Sequence, residues 1–186
     1  MKSISLRGTN IPHLFRALAL IGALALATPA LVAQEPPRPG PEHQKLKELE
    51  GTWDALVKMG SDESKGVVTY KMDLGGLWLV SDFVGEFGGM KFVGKGLNGY
   101  DPVKKKHVGV WVDCFSTSPM IAEGTFDKEG KVITMTGEGP GPDGKPAKFR
   151  MTTEYKDQDS HVWTMFATGP DGADGPMMSI TYKRRK

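Results

Sequence analysis

The sequence predicts an all-β domain of about ten antiparallel strands, closed into a barrel and preceded by one short helix. Three observations predict it. Strand-like runs recur every ten to fifteen residues from Gly51 to the end of the chain. The links between them are hairpin-length, which leaves no room for the crossover helices of a parallel α/β sheet. Glycines fall inside the runs as well as between them, at Gly94, Gly96, Gly99 and Gly109. They weaken a flat strand but suit the bends and close approaches of a barrel, which also hides sheet edges.

The first 33 residues read as a signal peptide. Lys2, Arg7 and Arg16 form a basic leader, an uncharged run extends from Ala17 to Ala33, and Gln34–Glu35–Pro36–Pro37 follow. The expected cut follows Ala33, with Ala30 the alternative. A retained anchor is the competing reading, but Pro29 interrupts a run already marginal for the roughly 20 residues of a spanning helix. The expected product is exported, periplasmic or secreted, in a bacterium, without stable membrane insertion. Losing three basic and no acidic residues takes the formal charge from +2 to −1. The remaining basic clusters, Lys104–Lys106 and Lys183–Lys186, are short and carry no interleaved aromatics. Nucleic acid is therefore not an expected partner.

Residues 34–40 form a Pro/Gly-containing tether, and residues 41–186 a single domain. Pro41 to Glu50 predicts a helix, with proline at its first position, Leu46 and Leu49 on one edge and Gly51 at the exit. So short a helix is marginal alone, so its leucines are expected to dock at a barrel mouth. The strands are expected at about 52–59, 66–72, 77–85, 91–99, 107–115, 119–126, 131–138, 146–155, 160–167 and 176–183. Asp127–Lys128–Glu129–Gly130 is the plainest hairpin tip. Asp101–Pro102 opens a turn, Gly137–Gly144 reads as a long hairpin link, and Gly169–Gly175 closes the ninth run. The single cysteine, Cys114, excludes an internal disulfide and lies in an aromatic and β-branched run, which predicts a small buried hydrophobe.

Alternation places Trp78, Val80, Asp82 and Val84 on one face of the third run and Leu77, Leu79, Ser81 and Phe83 on the other. In the fifth run Val108, Val110, Val112 and Cys114 oppose His107, Gly109, Trp111 and Asp113. These mixed aromatic–acidic layers suggest an interior partly lined rather than solidly packed; an irregular packed core is the alternative. If Asp82 and Asp113 both face inward, they offer the minimum for acid/base chemistry, because burial and repulsion would raise one pKa. Otherwise each is a strand residue bonded to backbone. His43, His107 and His161 are too dispersed for a metal-ligand spacing, and no nucleophile elbow or phosphate loop is present. His161 follows the Asp157–Gln158–Asp159 turn, which favours a turn role. Met90, Met120, Met135, Met151, Met165, Met177 and Met178 suit an adaptable pocket wall or core filler.

Gly51–Thr52–Trp53, directly after the helix, resembles the Gly-x-Trp opening of lipocalin-like barrels. That resemblance implies a tryptophan plugging the barrel floor beneath a basic residue of the last strand, here Lys183, Arg184 or Arg185. A longer likeness runs through Pro39–Gly40–Pro41–Glu42–His43, Gly85–Glu86–Phe87–Gly88–Gly89–Met90, Gly99–Tyr100–Asp101, Gly124–Thr125–Phe126–Asp127 and Ile180–Thr181–Tyr182. On these segments the chain resembles the bacterial domain of unknown function 1579 family, grouped with the calycin barrels. The resemblance implies a calycin-like barrel. It departs from the family pattern at Cys114, Thr164 and Ser179. Related calycins bind fatty acids, retinoids or haem, and a haem-binding relative uses a histidine near its end, which carries over to His161.

The leading expectation is a barrel binding a small apolar or amphipathic ligand, with Trp78, Asp82, Trp111, Asp113, His161 and Met165 as candidate ligand-binding residues. A hydrolase or isomerase using Asp82 and Asp113, and a packed structural or protein-binding module, are the alternatives. Cofactor and oligomeric state stay open.

Overall fold

The computed structural model describes residues 35–141, 144–168 and 174–186. The expected signal peptide lies outside the described residues, as does most of the Gly169–Gly175 turn. Helix α1 (Pro41–Lys47) is followed by β1 (Gly51–Met59), β2 (Asp62–Asp73), β3 (Trp78–Phe87), β4 (Met90–Asp101) and β5 (Lys106–Asp113). Then come β6 (Met120–Phe126), β7 (Val132–Pro140), β8 (Pro146–Asp157), β9 (Ser160–Thr168) and β10 (Asp174–Arg184). Every strand pairs antiparallel with its sequence neighbour, and β1 pairs with β10 to close the barrel. This is the up-and-down meander that short links dictate. Among the two-residue links, Gly88–Gly89 has φ of 56° and 76°, the two left-handed positions of a type I′ turn.

Helix α1 ends at Lys47, three residues before the expected Glu50, with Glu48 as its C-cap. Arg184 holds this end in place. Its guanidinium donates to the carbonyl of Glu48 at 2.7 Å and to that of Glu50, satisfying acceptors that a helix C-terminus leaves open. Gly51 then turns into β1 with φ of 123°, and a Cβ there would lie 3.1 Å from the Arg184 guanidinium. Glycine meets both demands. At the helix start, Nδ1 of His43 accepts from the backbone N–H of Gly40 at 3.0 Å, satisfying one of the donors a helix N-terminus leaves open.

Helix α1 packs on β2, β3 and β4, burying Leu46 and closing that end of the barrel. Beneath it lies the floor. Trp53 is 1% exposed, its indole N–H donates to the Leu49 carbonyl at 2.9 Å, and Arg184 sits 4.1 Å from its ring centroid. Of the three candidate cations, Arg184 is the one that takes the expected place over Trp53. Around it pack Ala55, Val57, Val68, Phe83, Ile180 and Tyr182. Ala122, Phe149, Met151 and Met165 form a second buried group on the opposite wall.

The outer wall corrects one expectation. Val108, Val110, Val112 and Cys114 face outward, with Val112 47% exposed, and Cys114 is exposed rather than buried. Its Sγ accepts from the Val93 N–H at 3.4 Å just beyond the end of β5. The valines satisfy strand propensity without entering the core, and Cys114 shares their outward face. Native protein is therefore expected to react with a thiol reagent at one equivalent without denaturant. Labelling that required unfolding would contradict this placement.

Candidate functional site

The inside of the barrel is hollow. A cavity of about 800 Å³ runs along the lumen, from Leu46 and Leu49 at the helix end to Phe115–Ser118 and Pro140–Gly141 at the other. Its walls follow from the strand registers. On β3 the inward face is Leu79, Ser81 and Phe83; on β5 it is His107, Gly109, Trp111 and Asp113. Register pairs Trp111 with Gly96 and Asp113 with Gly94, and Gly96 in turn with Ser81. A Cβ at Gly94 would meet the Trp111 ring at 2.2 Å, and one at Gly96 would meet the Ser81 hydroxyl at 2.4 Å. These glycines let a bulky indole lie flat along the wall instead of filling the lumen.

Three zones follow along the axis. At the helix end, rings touch in sequence: His43 on Tyr100, Tyr100 on His107, His107 on Phe126, Phe126 on Tyr155, and Tyr155 on His161. His161 stacks on Tyr182 at 4.5 Å and meets Trp53 edge-on at 4.7 Å. The imidazoles of His107 and His161 are buried, and their Nδ1 atoms have no hydrogen-bond partner. Burial lowers His161 from its ordinary 6.5 to about 4, and the Arg184 cation pushes the same way. Burial also lowers His107, against the charge of Glu42. Tyr70, Tyr155 and Tyr182 are raised by burial, so these three phenols and the two buried imidazoles are uncharged at neutral pH.

The middle zone is apolar and adaptable, with Met135, Met151, Met165 and Ala122 facing Leu79, beside the polar Ser81 and Asn98. At the far end a second ring group forms: Phe92 meets Phe83 at 5.8 Å, Phe87 at 4.7 Å and Phe115 at 5.2 Å, each near edge-on. Beside it, the indole N–H of Trp111 donates to Oδ2 of Asp113 at 2.9 Å, and the backbone N–H of Phe115 donates to Oδ1 at 2.9 Å.

Of the six residues selected from sequence, Trp111, Asp113, His161 and Met165 line the cavity. Trp78 and Asp82 do not. They share the outer face of β3, where Trp78 covers Gly99 and Asp82 forms an ion pair with Lys95, its cross-strand partner on β4. The two carboxylates therefore lie on opposite sides of the barrel wall, and acid/base chemistry by that pair is ruled out. His161 differs from its turn reading too: it is 2% exposed, because it starts the inward row of β9 instead of ending the turn. Sequence reasoning did not single out Tyr70, Tyr155, Tyr182, Ser81 or Asn98. The signal for the last two was small-against-large matching across strands, with Ser81 level with Gly96 and Asn98 level with Gly109. Among the described residues, no group of three His, Cys, Asp or Glu side chains is placed to hold a metal ion.

Residues 38–184 match the model of the family described as "Protein of unknown function (DUF1579)". The chain belongs to that family. This DUF1579 member also resembles, in fold, the crystal structure of Rv2717c from M. tuberculosis. The likeness has a TM-score of 0.59 at 16% identity and covers 79% of this chain and 99% of that one. A redesigned beta barrel is more distant, with a TM-score of 0.41 at 13% identity over 76% of this chain and 95% of the other. No curated protein matches the chain. The DUF1579 assignment and the Rv2717c likeness both agree with the calycin-like barrel, and the site chemistry has to be argued from the lumen itself.

Proposed function

We propose that this DUF1579 protein is an exported barrel that binds a small apolar or amphipathic ligand in its lumen, in the periplasm or outside the cell. The observation that carries the reading is the cavity of about 800 Å³ walled by methionines and aromatic rings. That volume lies within the roughly 300–1,000 Å³ of small-molecule sites, and the wall has their usual make-up of apolar surface with a few placed polar groups. A packed interaction module has no use for such a void, since empty space costs dispersion contacts. The glycines at 94 and 96, which hold Trp111 against the wall, favour a lumen kept open for an occupant.

The experiment is native mass spectrometry of the protein purified gently from its own compartment, followed by titration of the emptied protein. Trp111 and Trp163 both line the cavity, so their fluorescence should respond to occupancy. A stoichiometric extra mass, or saturable one-site binding of an amphiphile, is the expected result. No bound mass and no binding of single-chain amphiphiles, retinoid-like probes or haem would overturn the reading.

A further inference from the structure

The geometry points to a specific ligand class: a single-chain amphiphile with a cationic ammonium head, seated at Asp113. The inference rests on the lumen-binding reading above and specifies what that lumen selects. Among the described residues that line the cavity, Asp113 is the one carboxylate, and there is no lysine or arginine. Both histidines of the wall are held neutral by burial.

That inventory decides between head groups. An anionic head would be desolvated with no cation to receive it, and would also share the lumen with the Asp113 carboxylate. Each of these costs free energy that an apolar tail must offset. An ammonium meets the opposite situation. Each Asp113 oxygen already accepts one hydrogen bond, from Trp111 and from the Phe115 backbone. A carboxylate offers about four lone-pair sites, so capacity for a charged donor remains. Trp111 and Phe115 adjoin it, and Phe115 leads into the far-end ring group through Phe92 to Phe87; aromatic faces attract organic cations through their quadrupoles. The methionine zone then receives the chain, which points toward the His/Tyr end.

The test titrates the full-length purified protein with three probes sharing one dodecyl chain: dodecylamine, dodecanol and dodecanoate, each below its aggregation concentration. Tryptophan fluorescence and calorimetry provide the readouts. The expected order is amine, then alcohol, then acid, with the amine at least about tenfold tighter than the acid at low salt, as one partly screened charge pair predicts. Asp113→Asn, which keeps one acceptor oxygen at the site, should bring amine and alcohol within about twofold, chiefly by weakening the amine. A second arm needs no variant: about 1 M salt should compress the amine-to-alcohol ratio of the wild-type protein. Acid binding as tight as amine, or an amine preference that survives both Asp113→Asn and high salt, overturns the assignment while leaving lumen binding intact. Failure of all three probes to bind overturns the lumen reading itself, and this inference with it.

Discussion

Replacing Trp53 with alanine should destabilise the protein by about 4 kcal/mol, measured as a shift of the urea midpoint at unchanged slope. The magnitude follows from what the side chain touches. Truncating a fully buried tryptophan typically costs about 3–5 kcal/mol through lost burial and the cavity left behind. Trp53 is 1% exposed at the centre of the larger buried cluster. Its loss also removes the donor to the Leu49 carbonyl and the surface on which Arg184 rests. Trp53→Phe separates these contributions: it keeps most of the apolar volume but no N–H, and should cost about 1–2 kcal/mol. A domain of this kind has about 5–15 kcal/mol in total, so the alanine variant should lie near the edge of folding at 37 °C. A loss below about 1 kcal/mol for Trp53→Ala would mean that the helix-capped floor contributes little to stability.

The strand count and the ends of most strands were readable along the chain because both are local. Alternation, turn residues and glycine spacing act over a few residues, and all ten expected runs coincide with strands, most ends within two residues, though β2 starts four residues earlier. Which face of each strand points inward is not local. It depends on register around the closed ring, where one step exchanges inside and outside. Hence Asp113 and Asp82 carried the same sequence signature, a carboxylate sharing a face with a tryptophan, and ended on opposite sides of the wall. On β5 the uniform valine face is the outer one and the face with tryptophan, histidine and glycine is the inner one, and the misreading there was confined to the burial of Cys114. The Arg184 role was legible only as one of three cations, because its selection depends on where the helix ends. The ring network at the helix end draws on nearly every strand, so no stretch of sequence contains it. The tyrosines of the network, Tyr70, Tyr100, Tyr155 and Tyr182, are separated by 27 or more residues and meet only when the barrel closes.

That network should make the protein lose stability on mild acidification, well before its carboxylates titrate. His161 has an ordinary pKa of 6.5 and is held at about 4 in the folded state, chiefly by burial. Unfolded chains take up a proton at this position below about pH 6.5, whereas folded chains resist until about pH 4. Between those values the unfolded state binds more protons, so stability falls as pH falls. A difference of this size corresponds to about 3 kcal/mol at the acid end of the window. His107 adds to the loss in the same direction. Carboxylates act in a different range: Glu123, held at about 2 by Lys104 and Lys106, withdraws its contribution only as pH drops below its ordinary 4.5. Urea unfolding at half-unit steps from pH 7.5 to 4.5 should therefore show a steady decline beginning near pH 6.5. His161→Phe, which keeps a ring against Tyr182 and Trp53, should flatten most of that slope, whatever its stability at pH 7. A midpoint constant from pH 7 to 5 in the wild-type protein would mean that the imidazole finds a proton-accepting partner or water inside the barrel, and that the helix end of the lumen is wetter than its packing implies.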